Sequence, residues 1–128
     1  MDADDEAILA RLDRLSVLLF ARDPAIVDEL WSDLGCRLVG SEQGETAETR
    51  EELAALMGGL FSRPKRFSWA WAERRVARHG EIAWVWAEGH VVITGPDQTQ
   101  RRPYRLVCVF QKAGERWCWR LFSGSEPA

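Results

Sequence analysis

Apolar positions along this chain change their period once, near residue 66. Before that point Ile8, Leu9, Leu12, Leu15, Leu18 and Leu19 recur at helical spacing, with Arg11, Asp13 and Arg14 on the other side, which predicts an amphipathic helix over residues 5–21. Asp23-Pro24 reads as an N-cap followed by proline at the first helical position, opening a short helix through about Trp31 with Ile26, Val27, Leu30 and Trp31 as its buried stripe. Gly35 to Val39 reads as a short strand, and Gly40 to Glu45 as a polar loop. A third helix opens at Thr49, where Glu52 three residues on completes a capping box. It continues through Leu53, Leu56, Met57 and Leu60 until Arg63-Pro64 stops it.

From Phe67 onward the period is two, and four strands fit at about 67–78, 81–93, 102–112 and 116–124. His79-Gly80 and Ala113-Gly114 read as short hairpin turns and Gly95-Pro96-Asp97 as a longer one. Three Trp-x-Trp pairs, Trp69/Trp71, Trp84/Trp86 and Trp117/Trp119, hold six of the seven tryptophans. Residues two apart share a face only in extended backbone, so each pair marks a strand with two indoles on one side. Helix, helix, strand, helix and then a four-stranded meander predict a single α+β domain over 1–128, with helices packed on one face of a curved antiparallel sheet.

Composition narrows the classes. The chain has 128 residues, 46% of them hydrophobic and 29% charged, as expected of a globular domain able to bury a core without disulfides or metal. No apolar run approaches the roughly 20 residues that span a bilayer, and the acidic start, Asp2-Ala3-Asp4-Asp5-Glu6 after Met1, argues against a signal peptide. A cytoplasmic protein that does not engage membranes is expected. Cys36, Cys108 and Cys118 are odd in number and lack C-x-x-C spacing, so they are expected as buried apolar thiols. With only His79 and His90, no metal site is expected, and no nucleotide-binding loop or nucleophile elbow suggests a cofactor or covalent catalysis.

The net charge of −3 divides unevenly. Residues 1–62 carry 5 Lys/Arg against 14 Asp/Glu, and residues 63–128 carry 12 against 6, so an acidic helical layer is expected to face a basic sheet. A basic, aromatic sheet invites comparison with a base-stacking platform. The basic residues are scattered through loops and strand ends, however, and no RNA-binding signature is present, so nucleic acid is not expected as a partner.

The order of elements is joined by local matches at Leu38-Val39-Gly40-Ser41-Glu42, Gly80-Glu81-Ile82-Ala83-Trp84, Pro103-Tyr104-Arg105-Leu106 and Ser123-Gly124-Ser125-Glu126-Pro127. In this the chain resembles the SnoaL-like branch of the nuclear-transport-factor-2-like superfamily over nearly its whole length. The resemblance implies a cone, in the cystatin-like class, whose helices cap a curved sheet around an apolar cavity, with dimerisation often through the sheet's outer face. The superfamily includes ketosteroid isomerases, epoxide hydrolases, dehydratases, polyketide cyclases and proteins that only bind or associate. Its enzymes place an aspartate or histidine acid/base pair in the cavity, and no such pair is matched here.

A two-residue turn at His79-Gly80 sets Arg75 opposite Trp84, Glu73 opposite Trp86, Trp71 opposite Glu88 and Trp69 opposite His90, giving one face with four indoles and an opposite face of small residues such as Ala83, Val85 and Ala87. Periodicity leaves open which face is concave. A one-residue slip in the next hairpin exchanges faces. In one register Tyr104, Cys108, Trp117 and Trp119 join the indoles, and Tyr104, Trp117 and Trp119 then form a dimer interface. In the other, Arg105, Val107, Arg120 and Phe122 join them and make a pocket of Trp31, Trp69, Trp71, Trp84, Trp86, Glu88, Arg105, Arg120 and Phe122. A buried Arg120 then needs Glu88 or an anionic ligand group as partner. Glu88 and His90 are the catalytic candidates, His90 as a general base. The expected function is binding of a small apolar or aromatic ring-shaped ligand, with or without an anionic group, by a homodimer that carries out proton transfer or hydration/dehydration. The alternative is a non-catalytic homodimeric association module whose tryptophan face is the interface.

Overall fold

A computed structural model describes residues 2–127, so Met1 and Ala128, the ends of the expected domain, lie outside the described residues. Three helices, α1 (Ala3–Ala21), α2 (Ile26–Leu30) and α3 (Arg50–Phe61), pack on a six-stranded sheet of β1 (Arg37–Val39), β2 (Thr46–Ala47), β3 (Arg66–His79), β4 (Ile82–Thr94), β5 (Thr99–Ala113) and β6 (Arg116–Ser125). The strand order is β2-β1-β6-β5-β4-β3, with β1 parallel to β6 and the other pairs antiparallel. The expected meander is therefore extended at one edge by β1 and by β2, a strand too short to show a period.

Caps fix the helix ends. Asp2 accepts from the Asp4 N–H at 2.7 Å at the start of α1, and Thr49 accepts from the Glu52 N–H at 3.1 Å at the start of α3. Glu52 accepts in return from Glu48 rather than Thr49, one residue before the expected box. Asp23 takes the Ala25 N–H in a turn ahead of α2, so Pro24 precedes that helix instead of opening it. Arg22 ends α1 in the left-handed region at φ 55°, and its guanidinium donates to the carbonyls of Arg63 and Lys65, tying the helix end to the start of β3.

The uneven charge of the two halves is absorbed between layers. Asp13 of α1 pairs with Arg74 of β3 at 2.7 Å, and Arg78 of β3 gathers Asp2, Asp4 and Asp5 at 2.8–3.3 Å. Ser16 of α1 accepts from the Trp69 N–H at 2.9 Å, covering part of the edge strand β3.

Register is where expectation and structure part. The first hairpin turns at Gly80-Glu81, with Gly80 at φ 61°, so Ala77 faces Trp84 and Arg75 faces Trp86. A bulge at Ala72 then flips the alternation: Trp71 pairs with Gly89 and Trp69 with Val91. Gly89 permits the bulge, since a Cβ there would overlap the Ala70 carbonyl oxygen. A second bulge leaves Arg120 without a partner strand residue, between Phe110↔Trp119 and Val109↔Leu121. The indoles consequently divide. Trp69, Trp71, Trp117 and Trp119 turn toward the helices, while Trp84 and Trp86 turn to the outer face of the sheet.

Candidate functional site

The concave face of the sheet carries a continuous aromatic wall. Trp69 stacks on Trp71 (6.1 Å between ring centroids, 13° between planes), Trp69 also meets Tyr104 at 5.8 Å and Phe122 at 5.7 Å, and Trp119 packs between Phe122 and Phe110. Helices α1, α2 and α3 cover this wall but do not fill it. Two adjoining cavities remain, of about 80 Å³ and about 60 Å³, which share Leu19, Glu45, Leu60, Trp69 and Tyr104 as walls. The smaller one is lined mainly by apolar side chains that include Leu15, Ile26, Leu30, Met57 and Phe122. The other opens past Ser41, Glu42, Arg63, Arg102 and Glu126. An apolar cavity of about 150 Å³ takes one benzene ring, so only the two cavities joined would hold a single six-membered ring.

Polar groups converge at the junction. Tyr104 is 5% exposed, and its hydroxyl reaches the space left by Gly124, where a Cβ would overlap it. Burial pushes the phenol's pKa well above its ordinary value, the charges of Glu45 and Glu126 push it further, and the nearby Trp69 indole and Ser41 partly oppose them. That indole N–H stands beside the hydroxyl without making a hydrogen bond of good geometry. Tyr104 is thus held as a neutral hydrogen-bond donor. Glu45 accepts the Glu42 N–H at 2.9 Å through Oε1, which leans over Gly40 and fixes the carboxylate on the cavity wall. At the mouth, Glu126 accepts from Ser41 at 2.9 Å and pairs with Arg102 at 3.5 Å, while Glu42 pairs with Arg63 at 3.2 Å.

Of the residues nominated from the sequence, Trp69 and Phe122 line the cavity and Trp71 stacks beside them. Tyr104, Trp117 and Trp119, expected at a subunit interface, are buried within this chain's own interior and present no surface to a partner. Trp84, Trp86, Glu88 and Arg105 do not reach the cavity. They lie on the outer sheet face, where Glu88 pairs with Arg105 at 2.8 Å and Arg75 lies 5.3 Å over Trp86. His90, opposite Ala70 and Pro103, follows the same outward alternation. Arg120 donates to Gln111, not to Glu88, because the bulge takes it out of the alternation that would have aimed it inward. Trp31 sits over Gly35 beside a surface groove at the end of α2.

Two features escaped the sequence reading. Glu45 and Glu126 read there as a loop carboxylate and a terminal residue, because only the return of the β1–β2 loop over β5 and β6 brings them together. The second is Glu29, 5% exposed, which accepts from Trp119 at 2.8 Å and pairs with Arg11 at 3.0 Å and Arg14 at 3.3 Å. Its signal was present, since Glu29 falls three residues after Ile26 on the buried side of α2. The three cysteines are buried free thiols, and burial pushes Cys36 up to about 12 and Cys108 further. Among the described residues no group of three or more His, Cys, Asp and Glu could hold a metal ion, and no helix is long and apolar enough to cross a membrane.

Comparison with known proteins agrees with this architecture. The profile of the SnoaL-like domain matches residues 8–125. Among solved structures, a candidate dehydratase of the NTF2-like family from Streptomyces avermitilis superposes with a TM-score of 0.84 at 15% identity, covering 99% of this chain and 98% of that one. ActVI-ORFA from Streptomyces coelicolor gives 0.81 at 11% identity, with 98% of each chain covered. A candidate calcium/calmodulin-dependent protein kinase II association domain from Xanthomonas campestris gives 0.80 at 16% identity, with 98% and 89% covered. At such identities the likeness is one of fold. No curated protein sequence matches the chain.

Proposed function

We propose, from the premise that this chain belongs to the SnoaL-like domain family, that it binds a small single-ring molecule in the cone and moves a proton on it, as hydration or dehydration requires. The observation that carries this reading is the meeting of Glu45 and the Tyr104 hydroxyl at the wall of an otherwise apolar cavity. Glu45 is the base. It is fixed by the Glu42 amide and removes a proton from a ring carbon, while the Tyr104 hydroxyl donates to the oxygen on which negative charge grows. Trp69, Phe122 and the leucines hold the ring and exclude water. Three unpaired thiols suit a reducing compartment, and a cytoplasmic location goes with this reading.

Cyclohexanone in D2O provides the test, because deuterium uptake at the carbon next to its carbonyl reports proton abstraction directly by NMR. Exchange above the buffer rate is expected, falling to that rate in Glu45→Gln and by about 100-fold or more in Tyr104→Phe, the size of effect seen when one donor to a developing oxyanion is removed. Exchange no faster with protein than without it would sink the catalytic reading.

A second reading has its own observation. The outer sheet face presents Trp84 at 45% and Val107 at 42% exposure, flanked by the Glu88–Arg105 pair, and suits a homodimer that associates without catalysis. Trp84→Glu should then convert a dimer to a monomer in sedimentation equilibrium, and an unchanged mass would rule this face out.

A further inference from the structure

Five buried side-chain nitrogens lack a hydrogen-bond partner among the described residues: Nε of Arg11, Arg22 and Arg120, and the indole nitrogens of Trp69 and Trp71. The three guanidinium groups donate through another nitrogen, to Glu29, to the Arg63 carbonyl and to Gln111 respectively. An indole has a single N–H, so for Trp69 and Trp71 the lack is complete. The other two indoles on the helix side of the sheet are both satisfied, Trp117 by Asp4 at 3.0 Å and Trp119 by Glu29 at 2.8 Å. Buried donors are paired as a rule. Trp69 lines both cavities, and its N–H stands beside the Tyr104 hydroxyl.

Charge around this donor points the same way. The carboxylates Glu45, Glu42 and Glu126 line the cavity and its mouth, whereas the two cations there, Arg63 and Arg102, are each engaged by a carboxylate, Glu42 and Glu126. An anionic ligand would meet Glu45 with no unpaired cation among the residues that line the cavity, since Lys65 stands only in the outer groove beyond the mouth. Arg105 and Arg120, which the sequence offered for that purpose, lie outside the cavity.

Resting on the binding reading above, we infer that the cavity selects an uncharged ring bearing a hydrogen-bond-accepting oxygen, received by the Trp69 N–H alongside the Tyr104 hydroxyl, and rejects carboxylates. The acceptor supplies the partner Trp69 lacks, and neutrality spares the ligand repulsion from Glu45. The ligand class is thus a cyclic ketone, ether or alcohol rather than an aromatic acid.

Three single-ring probes separate the possibilities: cyclohexanone, toluene and benzoate, titrated at neutral pH while the indole N–H signals are followed in a proton–nitrogen NMR spectrum. Cyclohexanone should shift the Trp69 indole signal and bind at least about 10-fold more tightly than benzoate. Trp69→Phe, which keeps a ring but loses the donor, should weaken cyclohexanone about 5-fold and toluene by less than about 2-fold, the difference being one neutral hydrogen bond. The comparison of probes on the unaltered chain stands by itself if that variant does not fold. Benzoate binding as well as cyclohexanone, or equal losses for both uncharged probes in Trp69→Phe, would overturn the inference while leaving the cavity a binding site. If neither toluene nor cyclohexanone binds, the binding reading fails and the inference falls with it.

Discussion

The hydroxyl of Tyr104 occupies the space that a side chain on Gly124 would need, so the last strand yields its own Cβ to position the phenol. The two residues belong to neighbouring strands, Gly124 of β6 pairing with Leu106 of β5, and Tyr104 projects past that pair toward the cavity. Gly124→Ala should therefore displace the phenol and cost stability of about 1–3 kcal/mol, the usual cost of overpacking. Urea denaturation measures the loss. In the exchange assay the same variant should behave like Tyr104→Phe, and full activity in Gly124→Ala would mean that the hydroxyl position is not critical.

Glu29 supports the fold from a place where charge is seldom tolerated. Its carboxylate collects the Trp119 indole, Arg11 and Arg14 between α1, α2 and β6. Removing it with Glu29→Ala leaves the Arg11 guanidinium, whose pKa burial already pulls down, without its counter-charge, and should cost about 3–5 kcal/mol. Trp119→Phe removes one donor while the two arginines remain, so the hydrogen-bond part of its cost is smaller, about 1–3 kcal/mol. A denaturant series on both variants checks the order, and equal or reversed costs would show that the carboxylate is not the centre of this cluster.

Much of the architecture was legible because it rests on period and capping. The apolar stripe of α1, the cap at Thr49 and the change to alternation after Pro64 each express a local preference that packing reinforces. The faces of the sheet were not legible. Alternation assigns a face only relative to a neighbour, and the extra residues Ala72 and Arg120 each exchange faces midway along a strand. Neither registers as a break in the pattern. Trp69/Trp71 and Trp84/Trp86, alike in sequence, thus end on opposite sides, and Glu88, Arg105 and Arg120, chosen for a shared inner face, left the pocket together. Glu45 and Glu126 were hidden for another reason. Nothing local distinguishes a loop carboxylate facing solvent from one folded back over a cavity.

Thiol chemistry gives a prediction independent of the site. Cys36, Cys108 and Cys118 are all shielded by burial, and desolvation pushes Cys36 up to about 12 and Cys108 further, so those two carry almost no thiolate near neutrality. Labelling by a chromogenic disulfide reagent at pH 8 should consume no thiols in the folded protein within minutes and three per chain in urea. Prompt reaction of one thiol under native conditions would mean that the strand carrying it opens readily.

Acid should loosen the attachment of α1 to the sheet in a defined direction. Asp4 accepts the Trp117 indole N–H at 3.0 Å and pairs with Lys112 at 3.3 Å and Arg78 at 3.3 Å. Its pKa is held below the ordinary 3.8, first by the Trp117 hydrogen bond and then by Lys112, against a smaller opposing effect of burial. A carboxylate whose pKa is lower folded than unfolded adds stability that is complete above the unfolded value and disappears as pH falls through the folded one. Stability should therefore decline below about pH 5, and Asp4→Asn should flatten that decline. Denaturant midpoints for both proteins between pH 6 and pH 2.5 provide the measurement. Parallel curves would show that protonation of Asp4 is not what releases the helix.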